Sequence, residues 1–186
     1  YADWARTYDA DNAALGFRLP ALAAGMFARY VRVGCEPILD AGCGTGLAGE
    51  NLAILGYEGL VGIDLSAPML AQARRLSIYT RLSRMVLGDT LDFESGVFAG
   101  VVSSGVFTEG HAPATSFEEL IRVTRRAGFI VFNVRDDIYE HHGFKTKMDA
   151  LEAAGKWRLV ERSQTFRPFT IGHKDVFARL FAYEVS

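Results

Sequence analysis

A chain of 186 residues that is 49% apolar, with a formal net charge of −2, is long enough to bury one sizeable core. A pI near 6.1 and the lack of a long basic run leave no electrostatic footprint for a phosphate backbone, which argues against a nucleic-acid partner. Two cysteines, Cys35 and Cys43, are too few for a disulfide framework or a thiolate zinc site, and no apolar run approaches the roughly 20 residues of a membrane helix. The expectation is a cytoplasmic monomer or homodimer with no membrane partner. The chain opens on Tyr1 rather than Met, as expected when leading residues are missing, and shows no signal-peptide pattern.

Segments of helical and strand period alternate from residue 13 onward with no repeat and no linker, so residues 1–186 are expected to form one domain. Leu15, Leu19, Leu22, Met26 and Tyr30 step by three or four and predict a leading helix, with Pro20 setting or kinking its first turn. Ile38 and Leu39 form the core of a first strand, followed at once by Gly42, Gly44 and Gly46. A helix through Ala48, Leu52 and Leu55 stops at Gly56. Leu60 to Asp64 is a second strand, and Ser66 with Pro68 signals the next helix, whose buried face is Met69, Ala73 and Leu76.

Met85 to Leu87 reads as a third strand ending at Gly88 and Asp89, and Phe98 to Ser103 as a fourth. Ser116 to Glu119 spells a capping box, with Phe117, Leu120, Ile121 and Thr124 facing inward. Phe129 to Val134, apolar on both faces apart from Asn133, suits a parallel sheet covered on both sides. Trp157 to Phe166 and Val176 to Tyr183 also read as strands. The nine residues between them, Arg167 to Asp175, are too few for a parallel crossover. The fold expected is therefore α/β, doubly wound and Rossmann-like: a mostly parallel seven-stranded sheet with one antiparallel strand at the C-terminal hairpin.

Glycines after a first strand let a ligand approach bare backbone. Here they run G-x-G-x-G, and Leu47 stands where a dinucleotide fingerprint has its last glycine. Asp64, 18 residues beyond Gly46 at a strand end, can accept both hydroxyls of a ribose. Asp89 stands where an adenine amino group can donate to it, and Ile63, Leu65 and Met69 offer an apolar slot for the base. The charge of Asp40, directly before the glycines, would repel a pyrophosphate. A cofactor with a ribose, an adenine and a cationic amino-acid tail suits this set better.

These residues carry a resemblance. Ile38 to Gly46, Gly62 to Ser66, Gly88-Asp89 and the closing antiparallel strand resemble the class I methyltransferases that use S-adenosylmethionine. Trp4 to Asp9 is similar to the aromatic lid of small-molecule members, which makes residues 1–33 an N-terminal lid and leading helix. More narrowly, residues 105–113 resemble methyltransferase-like proteins named for the Williams-Beuren syndrome region. The resemblance implies that Asp40, Gly42, Cys43, Gly44 and Gly46 line the methionine part and that Asp64 holds the ribose, with Leu65 and Met69 beside the base. It further implies that Asp89 and the Thr90 backbone read the adenine, that Ser103 and Ser104 offer carbonyls to the amino group, and that Tyr8 closes over the sulfonium. Ala99 and Arg126-Ala127-Gly128 depart from the family pattern before the fourth and fifth strands.

Other features carry blander expectations. Cys43 has no neighbouring base and reads as a packed residue. His141-His142 lacks the spacing of a metal pair and His173 falls in a hairpin turn, so no metal is expected. Arg74, Arg75, Arg81 and Arg84 read as solvated charges. Glu109 and His111 follow the fourth strand, at the rim where such sheets bind ligands, and are the candidate catalytic residues, with Phe107, Tyr139 and His142 as further acceptor-pocket candidates. Transfer of a methyl group from S-adenosylmethionine to a small-molecule acceptor is the first functional expectation. A nicotinamide-dependent oxidoreductase and a non-catalytic cofactor-binding module are the alternatives.

Overall fold

A computed structural model describes residues 4–186, with side chains described from Thr7 onward. The chain runs α1 (Trp4–Ala14), α2 (Leu19–Tyr30), β1 (Ile38–Ala41), α3 (Leu47–Ile54), β2 (Leu60–Asp64), α4 (Ala67–Ala73), β3 (Tyr79–Arg84), β4 (Phe98–Phe107) and α5 (Ser116–Val123). It continues through β5 (Thr124–Arg135), α6 (Asp136–Tyr139), α7 (Phe144–Ala153), β6 (Trp157–Arg162) and β7 (Ala178–Val185). The seven strands form one sheet in the order β3-β2-β1-β4-β5-β7-β6. Strands β1 to β5 pair in parallel, and β7 is antiparallel to both β5 and β6. The doubly wound sheet with one antiparallel hairpin strand is thus the architecture observed.

Two cores flank the sheet. One gathers Phe107, Phe117, Phe132, Phe144, Trp157 and Phe181 under α5 and α7. The other packs Ala23, Phe27, Leu52 and Leu60 with Val102 and Val131 under α2 and α3. Ile38, Leu39, Asp40 and Ala41 are all buried, as a central parallel strand requires.

Several local expectations are corrected. The leading apolar stripe divides between α1 and α2: Leu15 falls in the connector and Leu22 is 45% exposed, while Ala23, Met26 and Phe27 are buried. Leu55 and Leu76 lie beyond their helices on the exposed side. The third strand is Tyr79–Arg84, not Met85 to Leu87. A polar edge strand has no apolar run to announce it, and the apolar triplet that follows serves the cavity instead. The capping box is not formed, because Glu119 turns outward to the Leu91 N–H at 2.8 Å and to Arg122. Ala127 takes φ +57 within the altered turn, and β5 reaches back to Thr124.

Candidate cofactor site

The carboxyl ends of β1, β2 and β4 open into a cavity of about 390 Å³. Its floor is the turn after β1. The N–H groups of Gly42 and Cys43 both donate to the Ile63 carbonyl, at 2.8 and 2.9 Å, and the Gly46 N–H closes the turn on the Cys43 carbonyl at 2.8 Å. Gly42 has no alternative here, because a Cβ would lie 2.3 Å from the Val106 Cγ2. The N terminus of α3 starts at once behind Gly46, so its unsatisfied N–H groups belong to the same turn.

Asp64 stands at the end of β2 with both oxygens oriented by backbone. Oδ2 accepts from the Gly44 N–H at 2.9 Å and Oδ1 from the Ser66 N–H at 2.8 Å. Each carboxylate oxygen keeps a lone pair for a further donor. Leu65, Met69, Met85, Val86 and Leu87 make an apolar slot beside it. Ser66 caps α4 by accepting the Met69 N–H at 3.4 Å, which fixes the helix that carries Met69. Ser104, Gly105 and Val106 form the β4 wall, and Asn133 Oδ1 holds the Gly105 N–H at 2.7 Å. Tyr8 from α1, Phe17 and Pro20 close the side nearest α2, and Gly110, His111 and Ala112 the side nearest α5.

Of the residues expected at the site, Tyr8, Gly42, Cys43, Gly44, Asp64, Leu65, Met69, Ser104 and His111 therefore line one cavity. Trp4 contributes backbone to α1, but its side chain lies outside the described residues. Asp40 is a correction. Its carboxyl is 1% exposed behind the glycine turn, where it accepts the Tyr79 hydroxyl at 2.6 Å, and burial pushes its pKa up to about 7. Neither a lining role nor the repulsion of a pyrophosphate can rest on that carboxyl. Gly46 also lies behind the cavity; its φ of +102 and a Cβ position 2.6 Å from Leu76 Cδ1 explain the glycine.

The Ser103 side chain is fully buried, donating to the Ala41 carbonyl at 2.8 Å. Asp89, Thr90 and Glu109 are exposed and outside the lining. Phe107 and Tyr139 belong to the aromatic core, and His142 is exposed. Cys43 lines the cavity with a thiol that burial pushes up, so it is no thiolate nucleophile.

Phe17, Pro20 and the Met85 to Leu87 slot were not anticipated, nor was the bond from the Thr45 hydroxyl to Asp9 Oδ1 at 2.6 Å. Among the described residues no group of three or more His, Cys, Asp or Glu side chains could hold a metal ion, and no helix is long and apolar enough to cross a membrane.

The cavity fits S-adenosylmethionine on its own chemistry. A Cβ at Gly44 or Gly105 would meet no protein atom within 4 Å, so both leave bare backbone facing open space. An oriented carboxylate stands beside an apolar slot, as a ribose joined to a flat base requires.

A family model described as a methyltransferase domain matches residues 39–132. The chain is 34% identical over 178 residues to methyltransferase-like protein 27 of Homo sapiens, covering 92% of this chain and 72% of that one. It is 37% identical over 87 residues to the 18S rRNA (guanine-N(7))-methyltransferase RID2 of Arabidopsis thaliana, which is 46% of this chain and 30% of that one. In fold it is similar to a TehB-like SAM-dependent methyltransferase from Corynebacterium glutamicum, with a TM-score of 0.71 and 21% identity across 98% of both chains. The chain thus belongs to the methyltransferase-domain family, as a class I enzyme dependent on S-adenosylmethionine.

Proposed function

We propose that the chain transfers the methyl group of S-adenosylmethionine to a small-molecule acceptor. The observation that carries this reading is the cavity lining: among the described residues Asp64 is its one carboxylate, no Lys or Arg contributes, and most of the remaining surface is apolar. Among the described residues that wall offers a phosphate backbone no cation to bind. The rRNA-modifying relative shares less than half of this chain, so its acceptor is not carried over.

In this reading Asp64 accepts the ribose hydroxyls, the slot from Leu65 to Leu87 takes the adenine, and the backbone of Gly42 to Thr45 meets the methionine part. The N–H groups opening α3 favour its carboxylate. Ser104 provides a carbonyl for the ammonium, and the Tyr8 ring covers the sulfonium, an aromatic–cation contact worth about 0.5 to 2 kcal/mol. When bound, the cofactor supplies an electrophilic methyl group. Residues that hold an acceptor in line with it contribute on the order of 7 to 11 kcal/mol through orientation.

His111 is the proton acceptor. Its Nδ1 lies 3.1 Å from the Glu109 carbonyl oxygen and 2.9 Å from the Thr108 hydroxyl. In the tautomer that uses the carbonyl contact, Nδ1 carries the hydrogen and Nε2 is the basic nitrogen. Glu109 then acts through its backbone, by setting that tautomer, and its exposed carboxylate takes no part.

Calorimetry against S-adenosylmethionine, S-adenosylhomocysteine and NAD tests the cofactor reading, and transfer of a labelled methyl group to a metabolite panel or to total RNA tests the acceptor. Labelling confined to RNA would overturn the small-molecule assignment. Binding of NAD without response to S-adenosylhomocysteine would contradict the site assignment itself.

A further inference from the structure

Among its described side chains, helix α1 reaches the cavity through Tyr8. Its residues from Thr7 to Ala14 are mostly exposed, yet Tyr8 lines the cavity. Two of the fastenings seen among the described residues bear on its position. At its C-terminal end the connector pairs with the β6–β7 loop: the Arg18 N–H donates to the Pro168 carbonyl at 2.9 Å, Thr170 N–H to Gly16 at 3.2 Å, and Ile171 N–H to Leu15 at 3.0 Å. The Phe17 and Phe169 rings stack there with centroids 4.7 Å apart. The second fastening is the 2.6 Å bond from Thr45 Oγ1 to Asp9 Oδ1.

A rod pinned at one end is held more firmly by a point further along, and the Thr45–Asp9 bond adds such a point to the packing of α1 on α4. Asp9 stands five residues before Ala14, the last residue of α1, about 7 Å along its axis. Thr45 is 3% exposed and belongs to the glycine turn, so its hydroxyl is a rigid donor. A hydroxyl donating to a carboxylate is a charge-assisted bond, stronger than a neutral one. Asp9 itself is not among the residues that line the cavity, whereas its partner Thr45 is.

We propose that Asp9 is a positioning residue: by accepting the Thr45 hydroxyl it holds α1 with Tyr8 over the cavity and slows exchange of the cofactor. The inference rests on the cofactor reading above. Because Thr45 sits in the turn that meets the cofactor, the closed helix and the bound ligand stabilise each other, as linkage requires. Where only the closed form holds ligand tightly, the apparent affinity falls with the closed fraction.

The test uses the purified chain with S-adenosylhomocysteine as probe. Asp9→Ala should raise its dissociation rate by about three- to tenfold, within what loss of a partly exposed charge-assisted bond allows. The amides of residues 8–14 should exchange faster by a similar factor without ligand. Asp9→Asn keeps a carbonyl oxygen for Thr45 and should restore most of both values. Thr45→Val should reproduce Asp9→Ala, and the double variant should be no worse than either single change. Dissociation and exchange rates in Asp9→Ala equal to wild type overturn the proposal, as does an Asp9→Asn variant no better than Asp9→Ala. If wild type fails to bind the probe, the cofactor reading falls, and the exchange of residues 8–14 still decides whether Asp9 fixes α1.

Discussion

Substituting Asn for Asp40 should remove a pH dependence from folding stability. The Asp40 carboxyl is 1% exposed, with the Tyr79 hydroxyl 2.6 Å from Oδ2. Burial raises its pKa from 3.8 to about 7, outweighing the opposite pull of the Tyr79 bond. In the unfolded chain the same group titrates near pH 4. Between about pH 4 and 7 the folded protein therefore holds a proton that the unfolded chain has released. Stability from this group is full at the acid end and declines as pH rises toward the folded pKa. The displacement corresponds to about 4 kcal/mol at most. Urea unfolding of wild type and Asp40→Asn, compared between about pH 4.5 and 7.5, isolates the term, because the other titrating groups are common to both. Wild type should lose about 2 to 4 kcal/mol more than the variant across that range. Parallel pH profiles would refute the claim that burial controls this carboxyl.

Asp64→Ala removes two backbone-oriented acceptor oxygens and should weaken S-adenosylhomocysteine binding tenfold or more, since each bond to a charged group is worth about 1.5 to 3 kcal/mol; an unchanged dissociation constant in calorimetry would exclude it from the site. Asp89→Ala, at an exposed carboxylate outside the lining, should change the same constant by less than about fivefold. Gly49→Ala should lower stability by about 1 to 3 kcal/mol in thermal or urea unfolding, against its better helix propensity, because the added Cβ would stand 2.1 Å from the Tyr79 hydroxyl oxygen. His111→Ala should keep cofactor affinity and slow methyl transfer by about a hundredfold, in the range of a general base. A wild-type rate in single-turnover assays would reduce His111 to a wall of the cavity.

The parts legible in the sequence are those set by local chemistry. Bare backbone at Gly42 and Gly44, the acid closing β2 and the Ser66 cap follow from residue type and spacing, and all three stand where expected. The antiparallel β7 followed from a connection too short for a crossover. What the sequence hid depends on pairs far apart in the chain. Nothing near Tyr79 announces that its hydroxyl reaches 39 residues back to Asp40, and that contact withdraws Asp40 from the cavity. The strand carrying Tyr79 was missed for a related reason: as an edge, it shows Thr80, Arg81 and Arg84 to solvent and has no apolar period. Glu119 sits in a capping-box position, yet its Leu91 and Arg122 partners win, which only the tertiary structure reveals.

The pairing of the α1–α2 connector with the β6–β7 loop also orders events in time. Gly16 and Thr170 are 154 residues apart, so their contact closes a long loop of chain. During synthesis the connector emerges well over a hundred residues before its partner and waits for it. Contacts this distant pay their loop entropy late, after the parallel strands between them have assembled. Phe17, part of the cavity wall, stacks on Phe169 from that same loop, so the wall is finished only once the C-terminal hairpin has docked. A nascent chain that has folded β1 through β5 possesses the glycine turn and Asp64 but an open pocket, and tight ligand retention waits for the β6–β7 loop to dock.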